Sequence, residues 1–190
     1  FIVHPQMSPL PPEIEDIPLV ISDLRLARDG SIAPNTIADF WNGREGEALL
    51  VNGAKNPVLG ITPGAIQRWR VVNATNARYL RLALDAHDFT LIGTDGGLLG
   101  APFGGYREIL LAPAERAELL VAGARSAGTR ATLWALPYDR GVMMGPGMGG
   151  AQGPTPVLTL AYRSGSVSTP PIPGVLRPIQ PLQAHQAIKR

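Results

Sequence analysis

The chain reads as an all-β protein, an antiparallel sandwich or Greek-key barrel, on three observations. Glycine (22) and proline (19) make up more than a fifth of the 190 residues, where about 12% is ordinary. They stand between short apolar runs as turn punctuation rather than in low-complexity tracts. About nine such runs occur, and no segment keeps the repeat of an amphipathic helix over three turns.

Residues 1–16 are proline-rich and aperiodic, and read as an incoming connector. Residues 17–27 (IPLVISDLRLA) alternate and run into Asp29-Gly30, a strong two-residue turn signal. Residues 35–47 are polar around Phe40 and Trp41, and predict a long loop or a short helical turn. Asn52-Gly53 and Pro63-Gly64 then bracket two apolar runs at hairpin spacing. Further strands are predicted over 66–72, 79–84 and 89–94; in the middle one Leu80, Leu82 and Leu84 share one face and Tyr79, Arg81 and Ala83 the other. Residues 107–112 and 117–122 flank the turn Pro113-Ala114-Glu115-Arg116, and 130–136 adds a strand. After a glycine- and methionine-rich loop over 141–153, a last strand is predicted over 157–162, and the proline-spaced remainder reads as an extended outgoing link.

Composition bounds the function. With 45% hydrophobic residues, a domain of about 150 residues can bury roughly two thirds of its unfolded surface. The 17 basic and 15 acidic residues are interspersed, with none of the basic stripe that a nucleic-acid partner requires. No apolar stretch approaches the roughly 20 residues of a membrane span. The absence of cysteine excludes disulfides and thiolate chemistry. The chain opens at Phe1 without the charged-then-apolar order of a signal peptide, so it reads as a piece of a larger protein.

Four segments in order carry a family pattern: IPLVISDLRLARDG, LLVNGAKNPVLGITPGAIQRWRVVNATNARYLRLAL, HDFTLIGTDGGLLGAP and LLAPAERAELLV. Together they resemble the middle, cupredoxin-like domain of three-domain multicopper oxidases of the bacterial laccase, copper-efflux oxidase and bilirubin oxidase type. The resemblance implies a cupredoxin-like Greek-key β-sandwich over 17–163, with 1–16 arriving from a preceding domain and 164–190 leading to a following one. It also implies a periplasmic or extracellular setting and flanking cupredoxin domains as partners. Copper would belong to the full-length protein, which would oxidise phenolic, metal-ion or similar donors and reduce dioxygen to water.

The ligands can be checked independently. A blue copper centre needs two histidines and a thiolate, whereas His4, His87 and His185 stand singly and no thiolate exists. The middle domain of the family ordinarily lacks copper ligands as well, so no catalytic or cofactor-binding residue is assigned. This segment would space the first and third domains and line part of the donor cleft. The alternative keeps the fold and drops the enzyme: a scaffold with degenerate copper sites, as in some bacterial cell-division homologues. Faces that meet other domains would drive self-association of the isolated chain.

Met143, Met144 and Met148 form the one cluster of copper interest, since thioethers are soft donors suited to Cu(I). The other candidates have simpler readings. His87 reads as a turn histidine, and His4 and His185 as linker residues. Asp95-Gly96-Gly97 reads as a turn, because no Gly-Lys-Ser/Thr ending follows. Glu115 and Arg116 read as local ion-pair or backbone-bonding residues. Asn73-Ala74-Thr75 fits a glycosylation sequon, but an asparagine bonding its own turn backbone explains it equally well.

Overall fold

The computed structural model describes residues 8–141 and 153–180. Eleven strands and one helix follow one another: β1 (Glu15–Leu24), α1 (Ile37–Asn42), β2 (Ala48–Val51), β3 (Val58–Ile61), β4 (Ile66–Asn73), β5 (Leu80–Leu84), β6 (Phe89–Thr94), β7 (Gly97–Tyr106), β8 (Glu108–Leu111), β9 (Arg116–Ala122), β10 (Arg130–Leu136) and β11 (Thr155–Tyr162). They build two sheets, ordered β2-β1-β4-β9-β6-β7 and β3-β11-β10-β5-β8. The all-β architecture is therefore the expected one.

Three details differ from the sequence reading. First, the sheets are mixed: β1 runs parallel to β4, from Glu15 opposite Gln67 to Ile21 opposite Asn73, and β3 runs parallel to β11. The chain passes through β2 and β3, one in each sheet, before it returns beside β1 in the same direction, and such a parallel pair needs a long crossover. Second, β2 and β3 do not form a hairpin. Asn52 (φ 51°) and Gly53 (φ 82°) make the tight turn, but the Asn52 carboxamide then closes on β1, accepting from the Val20 amide at 2.9 Å and donating to the Pro18 carbonyl at 3.0 Å. Third, β7 occupies a glycine- and proline-bearing stretch with no strand signal. It is an edge strand, where proline and glycine are tolerated, and its register against β6 shifts between Leu91 and Gly93.

The alternation seen in sequence is realised in the core. Leu80, Leu82 and Leu84 of β5 are buried, with Arg81 and Ala83 half-buried. They pack with Leu133 and Leu160 against Ile21, Trp69, Val71, Phe89 and Leu119 of the other sheet. Each such side chain contributes roughly 1.5–3 kcal/mol of burial.

A second apolar cluster lies apart from the main core and joins the two ends of the chain to the domain: Leu10 and Ile14 from the incoming segment, Leu176 from the outgoing one, and Ile66, Ile92 and Leu120 from the six-stranded sheet. Ile66 and Leu120 project from the face opposite the main core, because their neighbours Trp69, Leu119 and Val121 point into it. Two backbone bonds hold the outgoing segment, from the Val167 amide to the Pro63 carbonyl and from the Leu176 amide to the Gly100 carbonyl, each at 2.9 Å. Gly64 is required at the first of these, since its φ is 85° and a Cβ there would lie 1.9 Å from the Val167 carbonyl oxygen. The segments read as connector and link thus pack on the domain over part of their length.

Leu176→Ala is expected to cost about 2–3 kcal/mol in urea unfolding, as for other buried leucines. A loss below about 0.5 kcal/mol, the range of ordinary surface substitutions, would mean that the outgoing segment contributes nothing to the fold.

Candidate functional site

The richest constellation surrounds α1, and it begins with capping chemistry. Thr36 precedes the helix in extended conformation and accepts from the Asp39 amide at 3.2 Å, while the Asp39 carboxylate takes the Thr36 amide at 2.6 Å. This is a capping box closed by aspartate. Arg25, at the end of β1's chain, grips both oxygens of the same carboxylate, with Nη1 at 3.1 Å from Oδ1 and Nη2 on Oδ2. The Arg25 guanidinium, then the Thr36 amide, hold the Asp39 carboxyl well below the usual carboxylate range, and Arg25 is correspondingly raised. Arg44 bonds Asn35 at 2.7 Å and the Arg25 carbonyl at 3.4 Å. Gly43 ends the helix with φ 80° where a Cβ would collide with Ala77.

Behind this frame a chain of charges runs inward. Arg78 lies 3.6 Å from both Asp23 and Glu45, and Glu45 accepts from Arg140 at 2.8 Å. Tyr79 stacks on Tyr138 with centroids 5.3 Å apart.

A second constellation lines a groove of about 600 Å³ on the outer face of the six-stranded sheet, among Pro18, Val20, Arg70, Thr94, Asp95 and Glu118. Arg70 holds Asp16 through Nε and Nη2, both at 2.7 Å. Arg68 holds Glu118, and the cross pairs Arg68 to Asp16 and Arg70 to Glu118 are 3.7 Å each. The four groups close a ring of alternating charge. The hydrogen bond to Asp16 raises Arg70. Arg116 pairs with Asp95 at 2.8 Å beside the ring. Every one of these charges has an opposite partner within the groove.

The remaining candidates have structural partners. His87 is 9% exposed; its Nδ1 lies 2.6 Å from the Asp85 carbonyl oxygen and its Nε2 2.5 Å from the Tyr162 hydroxyl. A carbonyl only accepts, so Nδ1 carries the proton and Nε2 accepts from Tyr162. Burial raises the Tyr162 phenol, keeping that donor protonated. Neither ring nitrogen is free for a metal. Asn73 is fully buried: Nδ2 donates to the Arg78 and Leu111 carbonyls at 2.8 and 2.9 Å, and Oδ1 accepts from the Thr75 amide and hydroxyl at 3.1 and 2.7 Å. The turn reading of this sequon is thus the structural one. Asp95 and Gly96 form the β6–β7 turn. Glu115 accepts from the Ala112 amide at 2.7 Å, and Arg116 reaches Asp95 across the sheet.

Met143, Met144 and Met148, and the flanking His4 and His185, lie outside the described residues. Among the described residues, no group of three or more histidines, cysteines or acids is placed to hold a metal ion, and no helix is long and apolar enough to cross a membrane. Sequence reasoning missed the Asp16–Arg68–Arg70–Glu118 ring. Its one local signal was Arg-Trp-Arg at 68–70, where period two puts both arginines on the face opposite Trp69. The acids lie about 50 residues away in the chain.

Comparisons with known proteins agree with this architecture. The multicopper oxidase family model matches residues 25–130, more than half of the chain. The cell division protein FtsP of Xenorhabdus nematophila is 40% identical over 116 residues, covering 60% of this chain and 24% of that protein. A laccase of Bacillus subtilis is 36% identical over 127 residues, covering 59% of this chain and 24% of the laccase. The solved multicopper oxidase of Campylobacter jejuni, a metallo-oxidase, superposes with TM-score 0.79 at 31% identity over 94% of this chain and 35% of its own. McoA of Aquifex aeolicus gives 0.77 at 30% identity, over 92% and 37%. The chain thus spans about a quarter of the length of these curated relatives.

Two measurements test the local assignments. Asn73→Ala, which removes the side-chain donor to the buried Leu111 carbonyl and the acceptor of the Thr75 amide, is expected to cost about 2–3 kcal/mol in chemical denaturation; a change under 1 kcal/mol would mean the bonds are dispensable. For Asp39 the folded carboxyl is depressed, so its stabilisation is complete above the unfolded value near pH 3.9 and fades as pH falls toward the folded one. The Tm gap between the protein and Asp39→Asn should be constant from pH 7 to 5 and shrink below about pH 4. A gap that widens on acidification would contradict the ion pair.

Proposed function

The chain belongs to the multicopper oxidase family, and from that premise we propose that it is the non-copper middle domain of such an oxidase, a spacer between two neighbouring cupredoxin domains. The observation that carries this reading is coverage: more than nine tenths of the chain superposes on about a third of a longer solved oxidase. In the complete protein, copper would supply electron transfer and dioxygen reduction. Among the described residues none fits a blue copper site, because the chain has no thiolate and both nitrogens of His87 are engaged.

What these residues do is hold shape. The main core sets the sandwich thickness, the charge ring stiffens the outer face of the six-stranded sheet, and the end segments are tied down before they leave the domain. Metal-ligand geometry tolerates errors of only about 0.2 Å, so domains that share a cluster need a stiff spacer. On this reading the partners are the flanking domains, part of the donor cleft is lined by this one, and the setting is the periplasm or the cell exterior. Nucleic acid is not a partner.

A specific observation favours a second reading. The curated relatives include several cell division proteins, so a scaffold of the same fold that has lost its copper sites is the alternative. The flanking gene sequence together with metal analysis separates them. The spacer reading expects paired His-X-His motifs and a His-Cys-His string in the flanks, stoichiometric copper in the complete protein and none in the 190-residue chain. Flanks with those positions replaced, and no oxygen uptake with a phenolic donor, would favour the scaffold; tight stoichiometric copper in this chain alone would overturn both.

A further inference from the structure

The helix α1 is amphipathic in the wrong sense for its surroundings. Ile37, Phe40 and Trp41 stand at i, i+3 and i+4, one helical face, and that spacing ordinarily turns inward onto a core. Here they are 70%, 76% and 56% exposed, and no residue of the helix is buried. The polar residue Asp39 points back to Arg25 instead. The hairpin leading into the helix exposes Leu26 and Ile32 as well.

Loose sequence would not hold this arrangement. Six residues are far too few for a helix to persist by itself in water, so α1 exists because the Thr36–Asp39 box, the Arg25 fork, Arg44 and the Gly43–Ala77 approach fix it. The polar framework therefore holds three large apolar side chains out in water. The Asp39 charge is matched by Arg25, so the occupant of this face should be apolar.

The size of the patch says what kind of occupant it takes. An aromatic side chain carries roughly 150–250 Å², so Phe40 and Trp41 at their observed exposures present about 250 Å², and the aliphatic side chains bring the face to several hundred. That falls short of the roughly 800 Å² per partner of stable free complexes. It suffices for a tethered partner, whose effective concentration is of order millimolar. The relatives supply the tether: the matched segment is 24% of the FtsP and laccase chains and 35–37% of the solved oxidases, so covalently linked neighbours are the rule around it.

We propose that the Ile37–Phe40–Trp41 face of α1 is the surface on which an adjacent domain of the same polypeptide docks through an apolar patch of its own. This rests on the spacer reading and adds to it the place of contact.

Hydrogen exchange on the complete polypeptide and on the 190-residue chain tests it. Amides 37–44 are expected to exchange at least tenfold more slowly in the complete protein. The double variant Phe40→Ser/Trp41→Ser should remove that protection and lower the Tm of the complete protein by several degrees more than that of the 190-residue chain, where Phe40 and Trp41 are already 76% and 56% exposed. Equal exchange at 37–44 in both forms would overturn the proposal: if other faces gain protection the spacer reading stands without it, and if none does, both fall. Dimerisation of the 190-residue chain by light scattering, abolished by the double variant, with no protection gained in the complete protein, would assign the face to a second copy and overturn it too.

Discussion

The alternation along β4 is the constraint on which the rest of the structure depends. Trp69 and Val71 enter the main core, while Arg68 and Arg70 face outward. The strand lies between β1 and β9, so both of its edges and both of its faces are committed. Gln67 closes the network at one end: its carboxamide oxygen takes the Trp69 indole at 3.1 Å, and its nitrogen donates to Glu15 at 2.9 Å and to the Gly60 carbonyl of the opposite sheet at 2.9 Å. A one-residue slip would exchange Trp69 for Arg68 in the core, burying a charge at prohibitive cost.

Two asparagines do for the turns what β4 does for the sheets. Asn52 converts a tight turn into a clasp on β1, and Asn73, at the end of β4, binds the carbonyls of Arg78 and Leu111. Both add side-chain bonds where a strand ends, and at the fully buried Asn73 they keep buried polar groups satisfied. Around them the molecule spends its charge on fixing loops. Arg25, Arg44, Arg78 and Arg140 all serve the region from α1 to β2.

Much of the fold was legible because its signals are local. Strand positions followed from period two and from glycine, proline and Asn-Gly punctuation, as in Leu80, Leu82 and Leu84. The turn roles of Asn73 and Glu115 followed from side chains that bond nearby backbone, and that of Asp95 from the two glycines after it. β7 was not legible: Gly100, Pro102, Gly104 and Gly105 erase its signal, and only its place at a sheet edge lets such a sequence be a strand. Nor was the buried histidine's partner, since Tyr162 is 75 residues from His87.

The sequence by itself determined an all-β domain, its family and its lack of any cysteine thiolate, because residue periodicity, turn chemistry and the count of side chains need no knowledge of distance. The tertiary structure alone decided that the sheets are mixed, that Leu10, Ile14 and Leu176 pack on the outside of one sheet, that Asp16, Arg68, Arg70 and Glu118 form a ring, and that the apolar face of α1 looks outward. Each of these joins residues far apart in the chain. Their pairing is chosen by the sum of many small burial and charge terms over the whole fold, and no short window of sequence contains that sum.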